Sequence, residues 1–206
     1  VTISLTGLSA DDNYVLDMDG KVADITGSPF TNPDLLNPGT HSMVIYNRAE
    51  GFTFDGRMAR VNAPDGKSRA DGASVIPLPG YLKTISQEIT VTADDTLRVN
   101  PVPQQRVRDL QLELEVTQGR PELIQSVTAT LSGIAGIFDM EKGQTIGEPT
   151  STVFSFIRDG SKLTADARLL GTMGAVQTLV LDIVFTDGGR TQRTEVDLTE
   201  ALADFN

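Results

Sequence analysis

Six Asp-Gly pairs cut this chain into short segments, and that punctuation constrains its fold more than any other feature. The pairs are Asp19-Gly20, Asp55-Gly56, Asp65-Gly66, Asp71-Gly72, Asp159-Gly160 and Asp187-Gly188. Aspartate tolerates the left-handed backbone region and glycine reaches positive φ without steric cost, so the pair suits tight hairpin turns. Pro38-Gly39 and Pro79-Gly80 add two further turns. Between turns the apolar residues recur with a period of two, the spacing of a strand with one buried face. In the first half Tyr14–Met18, His41–Asn47, Phe52–Phe54, Ile89–Val91 and Leu97–Val99 read this way. In the second half Val127–Leu131, Thr152–Phe156, Leu163–Leu169, Gln177–Thr186 and Thr191–Asp197 do. Gln177–Thr186 is almost wholly apolar, so it is expected at the centre of its sheet.

Val107–Val116 alternates most cleanly. Leu110, Leu112, Leu114 and Val116 share one face, while Asp109, Gln111, Glu113 and Glu115 share the other. Burying the acidic face would desolvate several like charges, so one side of this sheet must meet water. Leu112→Ala is expected to cost roughly 2–5 kcal/mol. The first eight residues, VTISLTGL, alternate too: Val1, Ile3 and Leu5 point one way and Thr2, Ser4 and Thr6 the other. Helix signals are few. Arg120–Ile124 suits a single turn, and Asp197–Asp204 carries an Asp cap with Glu200 three on, which predicts a short terminal helix.

Asn100–Gln105 is the best linker, because Pro101 and Pro103 cannot donate ladder hydrogen bonds and extend their predecessors. Short strands every 8–14 residues with hairpin chemistry between them predict an all-β chain of antiparallel β-sandwiches. We place two in tandem, residues 1–102 and 103–206. Units of this size bury enough surface to hold a core without covalent staples.

Composition narrows the chemistry. The chain has 17 Lys and Arg against 28 Asp and Glu, a net charge of −11, so it repels phosphate backbones and nucleic acid is not expected as a partner. No basic run marks a membrane-surface site. There is no cysteine, which removes disulfides, thiolate metal sites and cysteine nucleophiles. No apolar run approaches the ~18 residues of a spanning helix. Val1 is not Met and opens a strand, so a removed export signal is expected upstream.

No catalytic pattern emerges. His41 is the single histidine, sits among apolar residues and reads as structural. No Gly-x-Ser-x-Gly elbow accompanies it. Asp17-Met-Asp-Gly20 resembles the start of a calcium loop but lacks the later acids, so it reads as a hairpin turn. Gly133-Ile-Ala-Gly136 has no following Lys to cradle a phosphate. With no Trp, a sugar platform would fall to Tyr46, Tyr81 or Phe154. We expect no enzyme activity, no cofactor and no metal.

The order of segments in the second half is familiar. Arg106–Leu114 is followed by Val127–Gly136, then Arg168–Gly171, the Leu179–Phe185 strand with its Asp-Gly turn, and Asp197-Leu-Thr to Phe205-Asn206. Leu36–Glu50 fits the same picture. Together these resemble the fimbrial anchor and accessory lipoproteins of Bacteroidetes, the fimbrillin-like superfamily. The resemblance implies two transthyretin-like sandwiches, export, lipidation at an upstream Cys as the only membrane attachment, and a place at the outer membrane in a fimbrium or adhesin. It also implies partners: other fimbrial subunits or a surface receptor. Stalk subunits of that superfamily lose an N-terminal strand by cleavage after Arg, and a neighbour's strand fills the groove. Here the first Arg is Arg48, and Lys21 is the only earlier basic residue. The resemblance therefore implies an anchor, tip or accessory subunit that keeps its own first strand, with Val1, Ile3 and Leu5 as candidate strand-donation residues. An ordinary edge strand is the plain alternative for residues 1–8, and a glycan-binding outer-membrane lipoprotein of a polysaccharide uptake system is the alternative function.

Overall fold

The computed structural model describes residues 2–6, 8, 12–64, 74–93 and 96–205. The chain runs through β1 (Thr2–Leu5), β2 (Tyr14–Met18), β3 (Lys21–Asp24), β4 (Phe30–Thr31), β5 (Gly39–Asn47) and β6 (Phe52–Asp55). It continues through β7 (Met58–Val61), β8 (Lys83–Val91), β9 (Thr96–Val99), β10 (Gln104–Gln105), β11 (Arg108–Glu115) and β12 (Ile124–Ile134). Then come β13 (Ile137–Asp139), β14 (Gln144–Ile146), β15 (Thr150–Asp159), β16 (Lys162–Leu169), β17 (Thr178–Phe185) and β18 (Thr191–Asp197). The architecture is all-β, as the turn pattern predicts, and every pairing between these strands is antiparallel except β1 with β9.

Turn chemistry places the hairpins. Asp19 and Gly20 both take positive φ, +51° and +83°, between β2 and β3, as a type I′ turn requires. Asp55-Gly56, Asp159-Gly160 and Asp187-Gly188 close the β6–β7, β15–β16 and β17–β18 hairpins. Asp65-Gly66 and Asp71-Gly72 lie outside the described residues.

Among the described residues these strands form four sheets, ordered β4-β1-β9, β10-β8-β5-β2-β3, β14-β13-β7-β6 and β11-β16-β15-β12-β17-β18. The five-stranded sheet is buried on both faces. Leu16, Met18, Met43 and Ile45 enter a smaller apolar cluster that also holds Leu5 and Leu8. Val15, Val44 and Tyr46 enter a larger one on the other face. This double burial explains why Met43-Val-Ile-Tyr46 is apolar without a break.

The larger cluster draws on both halves of the chain, with Phe52, Ala59 and Val75 beside Leu131, Phe138 and Leu179. Two backbone joins accompany it. β13 pairs with β7, placing Phe138 opposite Ala59. The segment around Val75 also enters the six-stranded sheet. β15 and β16 pair only from Ile157–Asp159 to Lys162–Thr164. Beyond that, Val75 N donates to Ser151 O at 2.8 Å, Thr152 Oγ1 donates to Val75 O at 3.0 Å, and Arg168 N donates to Pro77 O at 2.7 Å.

Three expectations change. Gln177–Thr186 supplies β17, which lies next to the edge strand β18, while β12 and β15 hold the middle. Its apolar run reflects Leu179 and Leu181 facing the core, with Asp182 exposed. The terminal helix is absent among the described residues. β18 extends through Asp197, whose Oδ1 accepts from Thr199 N at 2.9 Å, so the Asp closes a local turn rather than capping a helix. Turn hydrogen bonds such as Leu202 N to Leu198 O then bring the chain to its end. Finally, β11 is an edge strand. Its alternation holds, with Leu110 buried and Glu113 exposed, but Leu112 is only partly buried. Its truncation to Ala should therefore cost about 2 kcal/mol, the low end of the range, in a denaturant titration. The Arg120–Ile124 signal forms a single 3₁₀ turn over Pro121–Leu123.

Candidate functional site

β1 is not at an edge. It lies between β4 and β9 and hydrogen-bonds on both sides, with Ser4 and Leu5 opposite Thr31 and Phe30, and Thr2 to Leu5 opposite Thr96 to Val99. Thr6 N extends the pairing to Val99 O at 3.1 Å. Of the three candidate donation residues, Val1 lies outside the described residues. Ile3 sits opposite Leu97. Leu5 is 1% exposed and enters the smaller apolar cluster with Leu16, Met43 and Ile89. A strand with neighbours on both sides and an apolar row beneath fills a slot rather than closing a rim.

The Asp17–Gly20 stretch belongs to a polar lock between sheets. Arg57, in the β6–β7 turn, sends Nη2 to Asp17 Oδ1 at 2.8 Å and Nη1 to Ser42 Oγ at 2.6 Å. Nη1 also reaches Glu141 Oε1 at 2.7 Å, in the β13–β14 turn. Asp17 Oδ1 further accepts from Gly20 N at 2.9 Å. Donation to the Asp17 carboxylate raises the Arg57 guanidinium above its ordinary value, against the opposing effect of burial. Among the described residues no cluster of three His, Asp or Glu is placed to hold a metal.

His41 lies on β5, an inner strand, and both ring nitrogens face acceptors. Nδ1 is 2.5 Å from Asp19 Oδ2, and Nε2 is 2.8 Å from Asn37 O. Asp19 Oδ1 also accepts from Ser42 N at 2.8 Å. Two acceptors facing the ring favour the imidazolium, which can donate from both nitrogens. The Asp19 hydrogen bond, then that to Asn37, raise its pKa, and the His41 hydrogen bond lowers that of Asp19. The histidine contribution is complete below the unfolded value of about 6.5 and is lost as pH rises through the raised folded value. The aspartate contribution is complete above about 3.9 and is lost as pH falls through the lowered folded value. The pair therefore acts fully between about pH 4 and 6.5. Asp19 is half exposed, so screening holds the effect to about 1 kcal/mol or less. Unfolding titrations at pH 5.5 and 9 should show this loss in the native sequence and not in His41→Gln. Equal slopes in the two proteins would remove the pair from the account.

The candidate sugar-platform aromatics do not form a platform. Tyr46 is buried and stacks on Phe54 with ring centroids 4.9 Å apart, and Phe154 is buried beside Phe156. Tyr81 lies under Arg168, whose guanidinium carbon is 4.5 Å from the ring centroid, and its hydroxyl donates to Asp109 at 2.8 Å. Gly133 sits not in a phosphate loop but at a register shift of β12 between Ser132 and Ile134. Among the described residues no helix is long and apolar enough to cross a membrane.

The sequence gives no site role to Arg57 or to Arg106, a second arginine in a cleft by the β13–β14 hairpin. Each is one cation in an acidic chain, and only its distant partners or lack of them set it apart.

No family model matches the sequence, and no curated protein matches it. Solved structures do. A candidate adhesin from Bacteroides ovatus matches with a TM-score of 0.76 at 17% identity, covering 99% of this chain and 84% of that one. A second candidate adhesin from Bacteroides ovatus gives 0.62 at 10% identity over 98% and 77%. The fimbrial anchor protein Mfa2 from Porphyromonas gingivalis gives 0.60 at 12% identity over 100% and 84%. At such identities the likeness is one of fold. The chain thus shares its all-β fold, along nearly its whole length, with Bacteroidetes candidate adhesins and a fimbrial anchor protein.

Proposed function

We propose that this chain is a non-catalytic, fimbrium-associated subunit of the cell surface, an anchor, tip or accessory component that works through β-strand pairing. One observation carries the reading: β1 occupies a slot with hydrogen-bonding neighbours on both sides and an apolar floor. The fold shared with adhesin candidates and a fimbrial anchor supports the setting. In this reading the partners are other fimbrial subunits or a surface receptor. The chain is held at the outer membrane by a lipid on a Cys upstream of Val1.

Val1, Ile3 and Leu5 are the residues we assign to strand exchange. Without residues 1–8, β4 and β9 would present unpaired N–H and C=O groups beside an apolar hollow, which a strand from another chain satisfies on both counts. A chain lacking residues 1–8, refolded with a synthetic VTISLTGL peptide, should melt at a higher temperature as peptide is added. A scrambled peptide should not have this effect. Absence of any stabilisation by the native peptide would overturn the strand-pairing reading.

A further inference from the structure

A cavity of about 290 Å³ opens where β10 and β11 meet the β13–β14 hairpin. Arg106, Arg108, Phe138, Gln144, Thr145 and Phe205 are among its lining residues, and no acidic side chain lines it among the described residues. Arg106 is held in place from several sides. Its backbone N donates to Leu82 O at 2.7 Å, and its Nε donates to Thr84 Oγ1 at 2.9 Å. Its guanidinium carbon stands 5.2 Å from the centroid of the buried Phe138 ring.

What is missing is an anion. Arg48, Arg57, Arg168, Arg190 and Arg193 each meet a carboxylate, and Arg98, Arg108, Arg120 and Arg158, which meet none among the described residues, are exposed to water, while Arg60, also without one, is half-buried. Arg106 meets none among the described residues, although the chain carries 28 acids, and its two terminal nitrogens donate to no described residue. Burial lowers its pKa and no neighbouring charge opposes that. A partly desolvated guanidinium without a counter-charge is unfavourable, and the geometry left open is the planar fork that grips a carboxylate through two parallel hydrogen bonds.

We propose that this cleft binds the carboxylate of a small polar ligand, with the Arg106 fork as its grip. Arg108, whose Nη1 donates to Phe205 O at 2.9 Å, adds a second positive charge at the rim. Gln144 and Thr145 offer neutral donors and acceptors to the rest of the ligand. The volume holds about one sugar residue or one amino acid. The ligand is a hexuronate or an acidic amino-acid residue, which share this chemistry. The site is independent of the β1 slot, so it stands or falls separately from strand pairing.

Glucuronate, N-acetylglutamate and neutral glucose should be titrated into the full chain by calorimetry and amide NMR. At least one carboxylate should bind with a Kd of about 1 mM, and glucose should not bind. The shifts should centre on Gly143, Gln144 and Gly171, which line the cleft. Binding of glucuronate alone would assign an acidic glycan, and binding of N-acetylglutamate alone a peptide carboxylate. Arg106→Gln should weaken binding about tenfold or more, while Arg106→Lys should retain part of it as a point charge. Failure of both carboxylates, equal binding of glucose, or shifts centred elsewhere in the native chain would overturn the proposal. So would undiminished affinity in a folded Arg106→Gln.

Discussion

Arg57→Met should lower the unfolding free energy by about 3–5 kcal/mol, the range for removing one partner of a buried ion pair. Burial decides the size. The Arg57 side chain is 14% exposed and that of Asp17 is 4% exposed. Loss of the guanidinium leaves Asp17 Oδ1 with Gly20 N as its one remaining donor among the described residues, deep between two sheets. The contact with Glu141 adds little, because that side chain is 54% exposed and water takes over its charge. Glu141→Gln should therefore stay within about 1 kcal/mol of the native chain. Adding Asp17→Asn to Arg57→Met should recover part of the loss, because it removes the stranded charge. Urea titrations of the single and double variants measure each term. A loss under about 1 kcal/mol for Arg57→Met would show that the lock is not a stabilising element.

Gly133→Ala should cost about 3 kcal/mol or more, combining a strained backbone with an overpacked contact. Gly133 holds φ at +74° where β12 shifts register, and an added Cβ would lie 2.1 Å from Val176 O and 3.1 Å from Gln177 Cα. Both neighbours are backbone atoms, and the chain there is tied down. Met173 N donates to Gly133 O at 2.8 Å, and the buried Gln177 donates its Nε2 to Gly133 O at 3.3 Å. No rotamer change can relieve the clash. Gly160→Ala is the control, with φ at +60° and nothing within 4 Å of the added carbon. It should cost only about 1–2 kcal/mol, the left-handed backbone penalty alone. Similar losses in the two variants would show that the close approach to Val176 carries no energy.

The two glycines also show what can be read from a sequence. Gly160 follows Asp between two alternating runs, and that pair alone marks a hairpin. Gly133 stands in Ser-Gly-Ile-Ala-Gly, where an isolated glycine in a strand pattern signals a bulge or a close backbone approach without saying to what. The close partner is Val176, more than 40 residues on, and no local pattern names it. The same holds for the two arginines. Arg57 and Glu141 are 84 residues apart in sequence and 2.7 Å apart in space. Arg106 is set apart by a partly buried guanidinium held by Thr84 and Phe138 with no acid beside it among the described residues, and those neighbours lie far off in sequence. Leu5 was legible as an inward-facing strand residue, whereas the neighbours on both sides of its strand were not.

By itself the sequence determined that the chain is all-β, where four of its hairpins turn and which face of β11 meets water. Period-two burial and positive-φ turns are written in residues a few positions apart. Only the tertiary structure decided that β1 is an inner strand, that β7 pairs with β13, that Val75 bonds into the far sheet, and that one arginine is locked while another is left open. Those outcomes depend on which distant surfaces meet, and hydrophobic burial is non-directional, so a strand's own residues say that it must be covered but not by what.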